Sequence, residues 1–267
     1  MPELADVEHF RRFFARHAAG KRVAAVWADP TILRNAPPEG LEASLRRHRF
    51  EEPDRVGKWL ICPTDGPVLL LHFGMTGDLI WSEDELERHR HDRLILEFAE
   101  GGELRYRNMR KLGGVWLVHT RDEGAMLLGA LGPDALSINR EDFLVRLSGR
   151  RGGLKAALMD QSFVAGIGNI LADEILWQAR LHPKTLIDAL SEQERRSLHT
   201  TTRRVLRRAV EGYDYIPRRR TWLSHIRGMP DAACPRCRTP LERTVAAGRT
   251  TYFCPTCQPA RGAPRFD

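Results

Sequence analysis

The most specific local signal in the chain reads Met159-Asp160-Gln161-Ser162-Phe163-Val164-Ala165-Gly166-Ile167-Gly168-Asn169-Ile170. A helix is expected to end near Asp160, because Gly166 and Gly168 then permit a tight turn. Asn169 is the expected N-cap of the next helix, whose apolar positions continue to residue 179. Two helices joined in this way direct backbone N–H groups toward one point. Such a point suits a DNA phosphate.

The regions on either side of this turn differ in character. Helical patterns run from about residue 140 to 216. Before residue 133 strand patterns dominate, Gly101-Gly102 marks a hairpin turn, and an amphipathic helix over residues 6–19 comes first. The strand patterns cover residues 23–27, 59–62, 68–72, 94–98, 104–106 and 115–118. Short strands separated by turns predict a β-sandwich.

Four cysteines near the end of the chain form two knuckles, Cys234-Pro-Arg-Cys237 and Cys254-Pro-Thr-Cys257. This spacing predicts one structural Zn²⁺ held by four thiolates. A pair of disulfides is the alternative, and it is uncommon in a cytosolic chain. The segment between the knuckles has the pattern of a β-hairpin, with Arg249 at the end of its turn. A metal-stabilised loop of this kind is a good place for an arginine that contacts phosphate.

Composition excludes several classes of protein. The chain has 267 residues and is 42% hydrophobic, which is ordinary for a globular protein. No apolar run approaches the roughly 18 residues that a membrane span needs. Acidic residues precede the first apolar stretch, so we expect no secretory signal and a cytoplasmic location. Cys62 lies alone in an apolar stretch and is expected to be a buried core thiol.

The charge balance favours a nucleic-acid partner. The chain has 42 Lys and Arg against 35 Asp and Glu, a net charge of +7, and its isoelectric point is about 9.5. Clustered arginines with an isoelectric point above about 9 are typical of nucleic-acid binders, although a solvated helix face also carries such runs. The clusters are Arg203-Arg204, Arg207-Arg208 and Arg218-Arg219-Arg220.

The first residues, Met1-Pro2-Glu3, contain a possible catalytic group. If Met1 is removed, Pro2 presents a secondary amine that can form a Schiff base with a carbonyl carbon. An ordinary α-amine leaves roughly 10% of the group neutral at pH 7, far more than a lysine does. The proline adduct has no N–H proton to lose and therefore stays an electron-withdrawing iminium. Glu3 places a carboxyl beside it for proton transfer.

These motifs together resemble the formamidopyrimidine-DNA glycosylase and endonuclease VIII family of base-excision repair enzymes. The start of the chain, the turn before Asn169 and the four-cysteine finger occur in the same order in that family, over nearly the whole length. The resemblance implies an α+β multi-domain fold. It has an N-terminal catalytic β-sandwich domain with a flanking helix (1–133), a helical helix–two-turn–helix domain (134–225) and a zinc finger (226–267).

The resemblance also implies a bifunctional glycosylase and AP lyase acting on double-stranded DNA as a monomer. The damaged base is flipped out, Pro2 attacks C1′ with help from Glu3, and the strand is cut by β- and δ-elimination. The implied catalytic residues are Pro2, Glu3 and Lys58, and Lys58 also grips a phosphate near the lesion. The implied contacts to neighbouring phosphates are His72, Asn169 and Arg249. The implied side chains that fill the gap left in the duplex are Met75, Arg110 and Leu112.

Departures from the family pattern leave the preferred lesion open. Leu112 and Lys111 stand where the formamidopyrimidine branch usually has Phe and Arg. The stretch between Arg220 and Cys234 has thirteen residues, and oxidised-purine members carry a longer loop there. An enzyme for oxidised pyrimidines or abasic sites stays possible. So do two other classes, a non-catalytic DNA-binding zinc protein and an oligomeric or ribosome-associated basic zinc protein that binds RNA.

Overall fold

The computed structural model describes residues 2–83, 87–211 and 219–260. The chain divides into two compact units, residues 1–130 and 131–267. Two features of the sequence analysis lie outside the described residues, the initiator Met1 and Arg218 of the basic run. The predicted boundaries at residues 133 and 225 stay predictions.

The first unit combines helices with two antiparallel sheets. Its helices are α1 (Leu4–Ala18), α2 (Pro38–Leu45) and α3 (Arg121–Leu127). Its strands are β1 (Val23–Ala28), β2 (Asp54–Val56), β3 (Trp59–Pro63), β4 (Val68–His72), β5 (Gly77–Ser82), β6 (Asp92–Phe98), β7 (Glu103–Asn108) and β8 (Gly114–Val118). The strand order is β1-β6-β7-β5 in one sheet and β2-β3-β4-β8 in the other.

One hydrophobic core serves both sheets and α1. Val7, Phe10 and Phe14 of α1 are buried in it, beside residues of both sheets such as Leu71 and Leu96. Burying an apolar side chain of this size stabilises the fold by about 1.5–3 kcal/mol. Helix α1 therefore has a fixed position against strands β2, β3 and β5, which it contacts.

The strand pattern of the sequence is confirmed for six strands, and two strands were missed. The missed strands β2 and β5 are both at the edge of their sheets. Strand β2 has three residues, too few to show a period, and the consecutive apolar residues Leu79, Ile80 and Trp81 break the alternation expected in β5. The turn at Gly101-Gly102 is confirmed, with positive φ at both residues.

The second unit contains helices and one hairpin. The helices are α4 (Arg140–Ser148), α5 (Leu154–Met159), α6 (Asn169–Gln178), α7 (Glu192–Val210) and α8 (Leu223–Ile226). Strands β9 (Glu242–Ala246) and β10 (Arg249–Phe253) form the predicted hairpin between the cysteine knuckles. The α+β class with strands first, helices next and a cysteine cluster last is confirmed.

The turn between α5 and α6 is held by Gln161, which the sequence analysis did not single out. Its amide donates to the carbonyls of Met159 (2.7 Å) and Ile167 (2.9 Å). Its side-chain oxygen accepts from the N–H of Gly166 (2.9 Å), where φ is +115°. One side chain thus replaces hydrogen bonds that the chain loses as it leaves a helix.

The prediction that Asn169 is the N-cap of α6 is wrong. Gly168 occupies that position with extended backbone, and Asn169 is the first helical residue. Its amide is therefore not used to cap the helix. The physical reason is a competing set of partners from α5 and β10, described below.

The stretch from 221 to 233 consists of α8 and a short connection into the cysteine region, where Ala233 pairs with Pro240. Leu223 in this stretch is buried beside Trp177 and Cys234. Across residues 2–83, 87–211 and 219–260, no helix has both the length and the hydropathy to cross a bilayer.

Candidate functional site

Pro2 and Glu3 lie at the start of α1. Glu3 is the N-cap of the helix and is 1% exposed, whereas Pro2 is half-buried. The Glu3 N–H donates to the Asp6 carboxylate (2.7 Å) within a capping-box arrangement. The capping box gives hydrogen-bond partners to two backbone N–H groups that would otherwise lack one at the start of the helix. The buried Leu4 and Val7 then anchor that helix in the core, so the segment carrying Pro2 is held in place.

An ion-pair chain connects α1 with the turn that carries Lys58. The Arg55 guanidinium contacts Glu8 of α1 (3.2 Å) and donates to the carbonyl of Gly57 (2.9 Å). Gly57 has φ of +58° and precedes Lys58 in the β2–β3 turn. Burial acts to raise the pKa of Glu8, but its hydrogen bond to Arg11 and the nearby arginine charges hold it below its usual range. The charged Glu8 carboxylate therefore ties this turn to α1.

His72, at the end of β4, is held as a neutral donor. Burial lowers its pKa to about 4, and the charge of Lys58 acts in the same direction. Its Nδ1 accepts from the N–H of Gly74 (3.3 Å), so the proton of the neutral ring is on Nε2. The Trp59 ring, 5.0 Å away between centroids, fixes the orientation of the imidazole. Lys58 and His72 are thus brought together, as a site for phosphate requires.

Two neighbouring loops expose apolar side chains. Met75 is 39% exposed in the β4–β5 loop, and Leu112 is 53% exposed in the β7–β8 loop. Arg110 in the second loop is exposed as well. Met109, which the sequence analysis did not assign, is 55% exposed beside it. Side chains of this size on two rigid loops are suited to insertion between bases.

Asn108 and Thr76 hold these two loops together. The Asn108 side-chain oxygen accepts from the Thr76 hydroxyl (3.1 Å) and from the N–H of Lys111 (3.0 Å). The Thr76 oxygen accepts from the N–H of Arg110 (3.1 Å). Because Asn108 is fully buried, these bonds are protected from water and fix the relative position of the loops.

The close approach of the loops depends on glycine. A Cβ on Gly74 would lie 2.4 Å from the backbone nitrogen of Gly113, and Gly74 also has φ of +60°.

An ion pair supports the second loop, because the Lys111 ammonium lies 3.0 Å from the Asp29 carboxylate. Burial acts to raise the pKa of Asp29, but hydrogen bonds from Thr31 and the nearby Lys111 lower it to about 2. Lys111 is therefore a support of the loop.

In the second unit, Asn169 connects α6 with the hairpin. Its side-chain oxygen accepts from the ammonium of Lys155 (2.7 Å), and its amide donates to the carbonyl of Thr250 (3.1 Å). Thr250 follows Arg249, which is exposed at the start of β10. The predicted phosphate contacts Asn169 and Arg249 are therefore brought together around one residue.

A buried ionic network lies under this contact. The Lys155 ammonium is 2.6 Å from the Asp173 carboxylate, and both side chains are almost fully buried. Arg227 contacts the same carboxylate (2.9 Å) and donates to the carbonyl of Thr250 (2.7 Å). A buried charge needs partners of this kind. The network thus fastens α5, α6 and the segment after α8 to β10.

The four cysteine sulfurs form a cage of the size that zinc requires. They lie within 4.8 Å of one another, with individual separations of 3.4, 3.5 and 3.9 Å. A tetrahedron with Zn–S bonds of about 2.3 Å has S–S edges of roughly 3.8 Å. A disulfide bond is about 2.05 Å long, so the alternative pairing is excluded. Trp177 donates to the Cys234 sulfur (3.4 Å), which supports the ligand from outside the cage.

The residues that position these groups could not be recognised from the sequence. Lys155, Asp173 and Arg227 are charged residues without a recognisable motif, and Asn108 reads as an ordinary strand end. The one signal in the sequence is the charged Lys155 among the apolar residues of α5. A charge at such a position indicates a buried side chain with a partner of opposite charge.

Comparison with known proteins identifies three family models along the chain. The formamidopyrimidine-DNA glycosylase N-terminal domain matches residues 1–115, and the H2TH domain of the same enzyme matches residues 131–218. A zinc finger found in FPG and IleRS matches residues 233–260. The match to this finger agrees with the cysteine cage, and a structural Zn²⁺ is the metal of the site.

The chain is also similar over its whole length to curated proteins and solved structures. The formamidopyrimidine-DNA glycosylase of Symbiobacterium thermophilum is 37% identical, with 97% of this chain and 90% of the relative covered. That of Chloroflexus aurantiacus is 36% identical, with 97% and 98% covered. The Lactococcus lactis Fpg in complex with abasic-site DNA is 29% identical and has a TM-score of 0.86, with 97% of this chain and 100% of that chain covered.

Proposed function

The chain belongs to the formamidopyrimidine-DNA glycosylase family, whose members are base-excision repair glycosylases with AP lyase activity, and we propose that Pro2 and Glu3 carry that chemistry here. The observation that carries the proposal is the position of this pair. A buried carboxyl caps the helix directly after the residue that becomes an N-terminal amine once Met1 is removed.

The substrate is a damaged nucleotide that leaves the base stack, since its C1′ is out of reach within the duplex. The relatives are named for formamidopyrimidine, so we assign lesions of this class to the chain. Met75, Arg110 and Leu112 then fill the gap, replacing lost stacking and hydrogen-bonding the base left without a partner. The rigid connection of their loops through Asn108 supports this role.

The reaction proceeds through a bond between Pro2 and the sugar. The neutral Pro2 amine forms a bond to C1′ while the bond from C1′ to the base breaks, and the proton lost from the Pro2 nitrogen balances the proton gained by the departing base. Glu3 transfers a proton to the ring oxygen as the sugar opens, and the product is an iminium. The iminium acidifies C2′. Loss of that proton expels the 3′ phosphate, and a second elimination expels the 5′ phosphate.

The DNA backbone is held by cationic and neutral donors. We assign Lys58 and His72 in the first unit, and Asn169 and Arg249 in the second, to phosphates near the lesion. The neutral His72 contributes a hydrogen bond, whereas Lys58 and Arg249 add charge and make affinity dependent on salt. The zinc ion supplies folding free energy to the hairpin that carries Arg249. The protein works as a monomer in the cytoplasm, on the nucleoid.

Borohydride trapping tests the role of Pro2. Protein whose loss of Met1 is verified by mass spectrometry should become covalently linked to an abasic-site duplex, because borohydride reduces the iminium. Protein carrying one extra N-terminal residue should bind the same duplex but give no covalent product, since Pro2 is then an amide. A cleavable extension provides the matched control, as its removal should restore trapping. Equal trapping with the extension in place would contradict the proposal.

A further inference from the structure

A pocket on the second unit is lined by cationic side chains that the proposed mechanism does not use. Its volume is about 380 Å³, and it lies along α7 and the start of α4. Among the described residues of its wall, Glu211 is the single acid. Five arginines line it: Arg140, Arg203, Arg204, Arg207 and Arg208.

The arginine charges are not neutralised within the described structure. The ion pairs of α7 and its surroundings are Arg196 with Glu192 and Arg219 with Glu211. No carboxylate in residues 2–83, 87–211 and 219–260 forms an ion pair with the five pocket arginines. Four of them form like-charge pairs four residues apart on α7, and like charges at this spacing destabilise a helix.

Helix stability does not explain this arrangement. Arg207 and Arg208 lie in the last turn of α7, where a cation is favourable. Arg203 and Arg204 lie a full turn earlier. Arg140 is the first residue of α4, the positive end of that helix, where a cation is unfavourable. The pocket therefore gathers positive charge at a cost to the fold, which is expected of a surface that binds an anion.

A polar group in the wall also lacks a partner. The Nε atom of Arg203 is buried and has no hydrogen-bond acceptor among the described residues. His199 beside it is 4% exposed, and its Nε2 is occupied by the carbonyl of Ile138 (3.2 Å). A buried donor left unpaired destabilises the folded protein. An oxygen of a bound anion would satisfy it.

Guanidinium groups at several positions match phosphate oxygens, which accept paired hydrogen bonds. The arginines from Arg203 to Arg208 extend over about 7.5 Å of helix. One strand of duplex DNA presents a phosphate about every 3.4 Å along its axis. A row of charge of this length fits two or more linked phosphates better than one small anion.

We propose that this arginine pocket is a second anchoring site for the DNA backbone, binding phosphates other than those assigned to Lys58, His72, Asn169 and Arg249. It rests on the proposed function, because DNA is the ligand. The pocket reads no base, so it strengthens binding to damaged and undamaged duplexes alike. It contributes to affinity and its salt dependence, and leaves the chemical step unchanged.

The test uses the double variant Arg207→Gln/Arg208→Gln in the full chain with zinc bound. Both side chains are exposed, so the fold should survive, and thermal unfolding checks this. The matched control is Arg146→Gln/Arg196→Gln, which removes the same charge from exposed positions of α4 and α7 outside the pocket. Arg140→Gln, on another helix, is an independent variant of the same pocket.

Binding of damaged and undamaged duplexes is measured by fluorescence anisotropy at several salt concentrations. Each lost phosphate contact lowers the slope of log K against log salt by about 0.9. The pocket variants should show slopes reduced by about 1–2 and weaker binding of both duplexes by the same factor. The control should match the wild type. The trapping rate at saturating protein should be equal in all variants.

Unchanged slopes in the pocket variants would overturn the proposal. If inorganic phosphate perturbs the Arg203 Nε–H resonance while the slopes stay unchanged, the site binds a small free anion and the proposal also fails. Failure of the proposed function has a different signature, since the wild type itself would then give no covalent product with abasic DNA.

Discussion

The Nζ atom of Lys155 lies 2.7 Å from the side-chain oxygen of Asn169, in the interior of the second unit. This ammonium orients the amide, so that its nitrogen donates to the carbonyl of Thr250. Lys155 is 1% exposed and shares the Asp173 carboxylate with Arg227. A buried ion pair is thus coupled to a residue that we assign to DNA phosphate, and folding and binding should be linked through it.

Replacing Lys155 tests this coupling. Lys155→Met keeps the length of the side chain but leaves Asp173 with one cationic partner. Breaking a buried pair costs about 3–5 kcal/mol, so denaturant unfolding should show a loss of that order. DNA binding should weaken at the same time, because Asn169 loses its orientation. Asn169→Ala is the control, and should weaken binding with a much smaller loss of stability. A Lys155→Met protein with normal stability and affinity would contradict the coupling.

Glu3→Gln separates proton transfer from Schiff-base formation. The amide keeps the size of the side chain and an oxygen that can serve in the capping box, so α1 should remain folded. Excision of a damaged base should fall at least about 100-fold, as expected for the loss of a general acid. A preformed abasic site exposes an aldehyde and should still be trapped by Pro2. The measurement is a parallel assay of base excision on a damaged duplex and of trapping on a preformed abasic duplex. Excision by the variant at the wild-type rate would show that Glu3 does not transfer the proton.

Removing zinc should disorder the hairpin that carries Arg249. Cys237→Ser should release the metal, and Trp177 fluorescence should change, because its indole N–H contacts the Cys234 sulfur. Binding to a lesion duplex should weaken sharply while the first unit keeps its circular dichroism signature. Cys62→Ala is the matched control, since this buried thiol lies outside the cage. Normal binding by metal-free Cys237→Ser protein would show that the finger is dispensable.

The pH dependence of the free energy of unfolding should reveal the lowered pKa of His72. Its pKa is about 4 in the folded protein, mainly because of burial, against about 6.5 when unfolded. Between these values the unfolded state holds more protons, so this contribution to stability is lost as pH falls from about 6.5 to 4. Comparing denaturant unfolding of wild type and His72→Gln at pH 7.5 and 4.5 isolates the effect. The difference in the free energy of unfolding between wild type and His72→Gln should change with pH. A difference that is the same at both pH values would contradict the lowered pKa of His72.

His72→Gln and a second variant, His72→Ala, test the donor role of His72 in DNA binding. Glutamine has an N–H that can replace the neutral Nε2–H, whereas alanine has none. His72→Gln should therefore bind an abasic duplex more tightly than His72→Ala at pH 7.5. Equal affinities for the two variants would show that His72 does not donate to a phosphate.

Local patterns in the sequence determined the architecture of both units. Apolar residues that alternate with polar ones give the central strands, and apolar residues three or four positions apart give the helices. In both cases the burial of apolar surface is the dominant driving force. The spacing of Cys234, Cys237, Cys254 and Cys257 determined the metal cage, since the geometry of zinc allows few arrangements. Family membership and the enzyme class followed from motifs in their order along the chain, and the comparisons confirm both.

Tertiary structure decided the environment of the site residues. Asn169 reads locally as a helix cap, but a buried ammonium from α5 and a carbonyl from β10 compete for its amide. The loops that carry Met75 and Leu112 are held together by the hydrogen bond between Thr76 and Asn108, which are 32 residues apart in the chain. Contacts between distant parts of the chain leave no period in the sequence, because only the packed core brings their partners together. The sequence thus names the groups that we propose to react, and the fold sets their orientation and protonation.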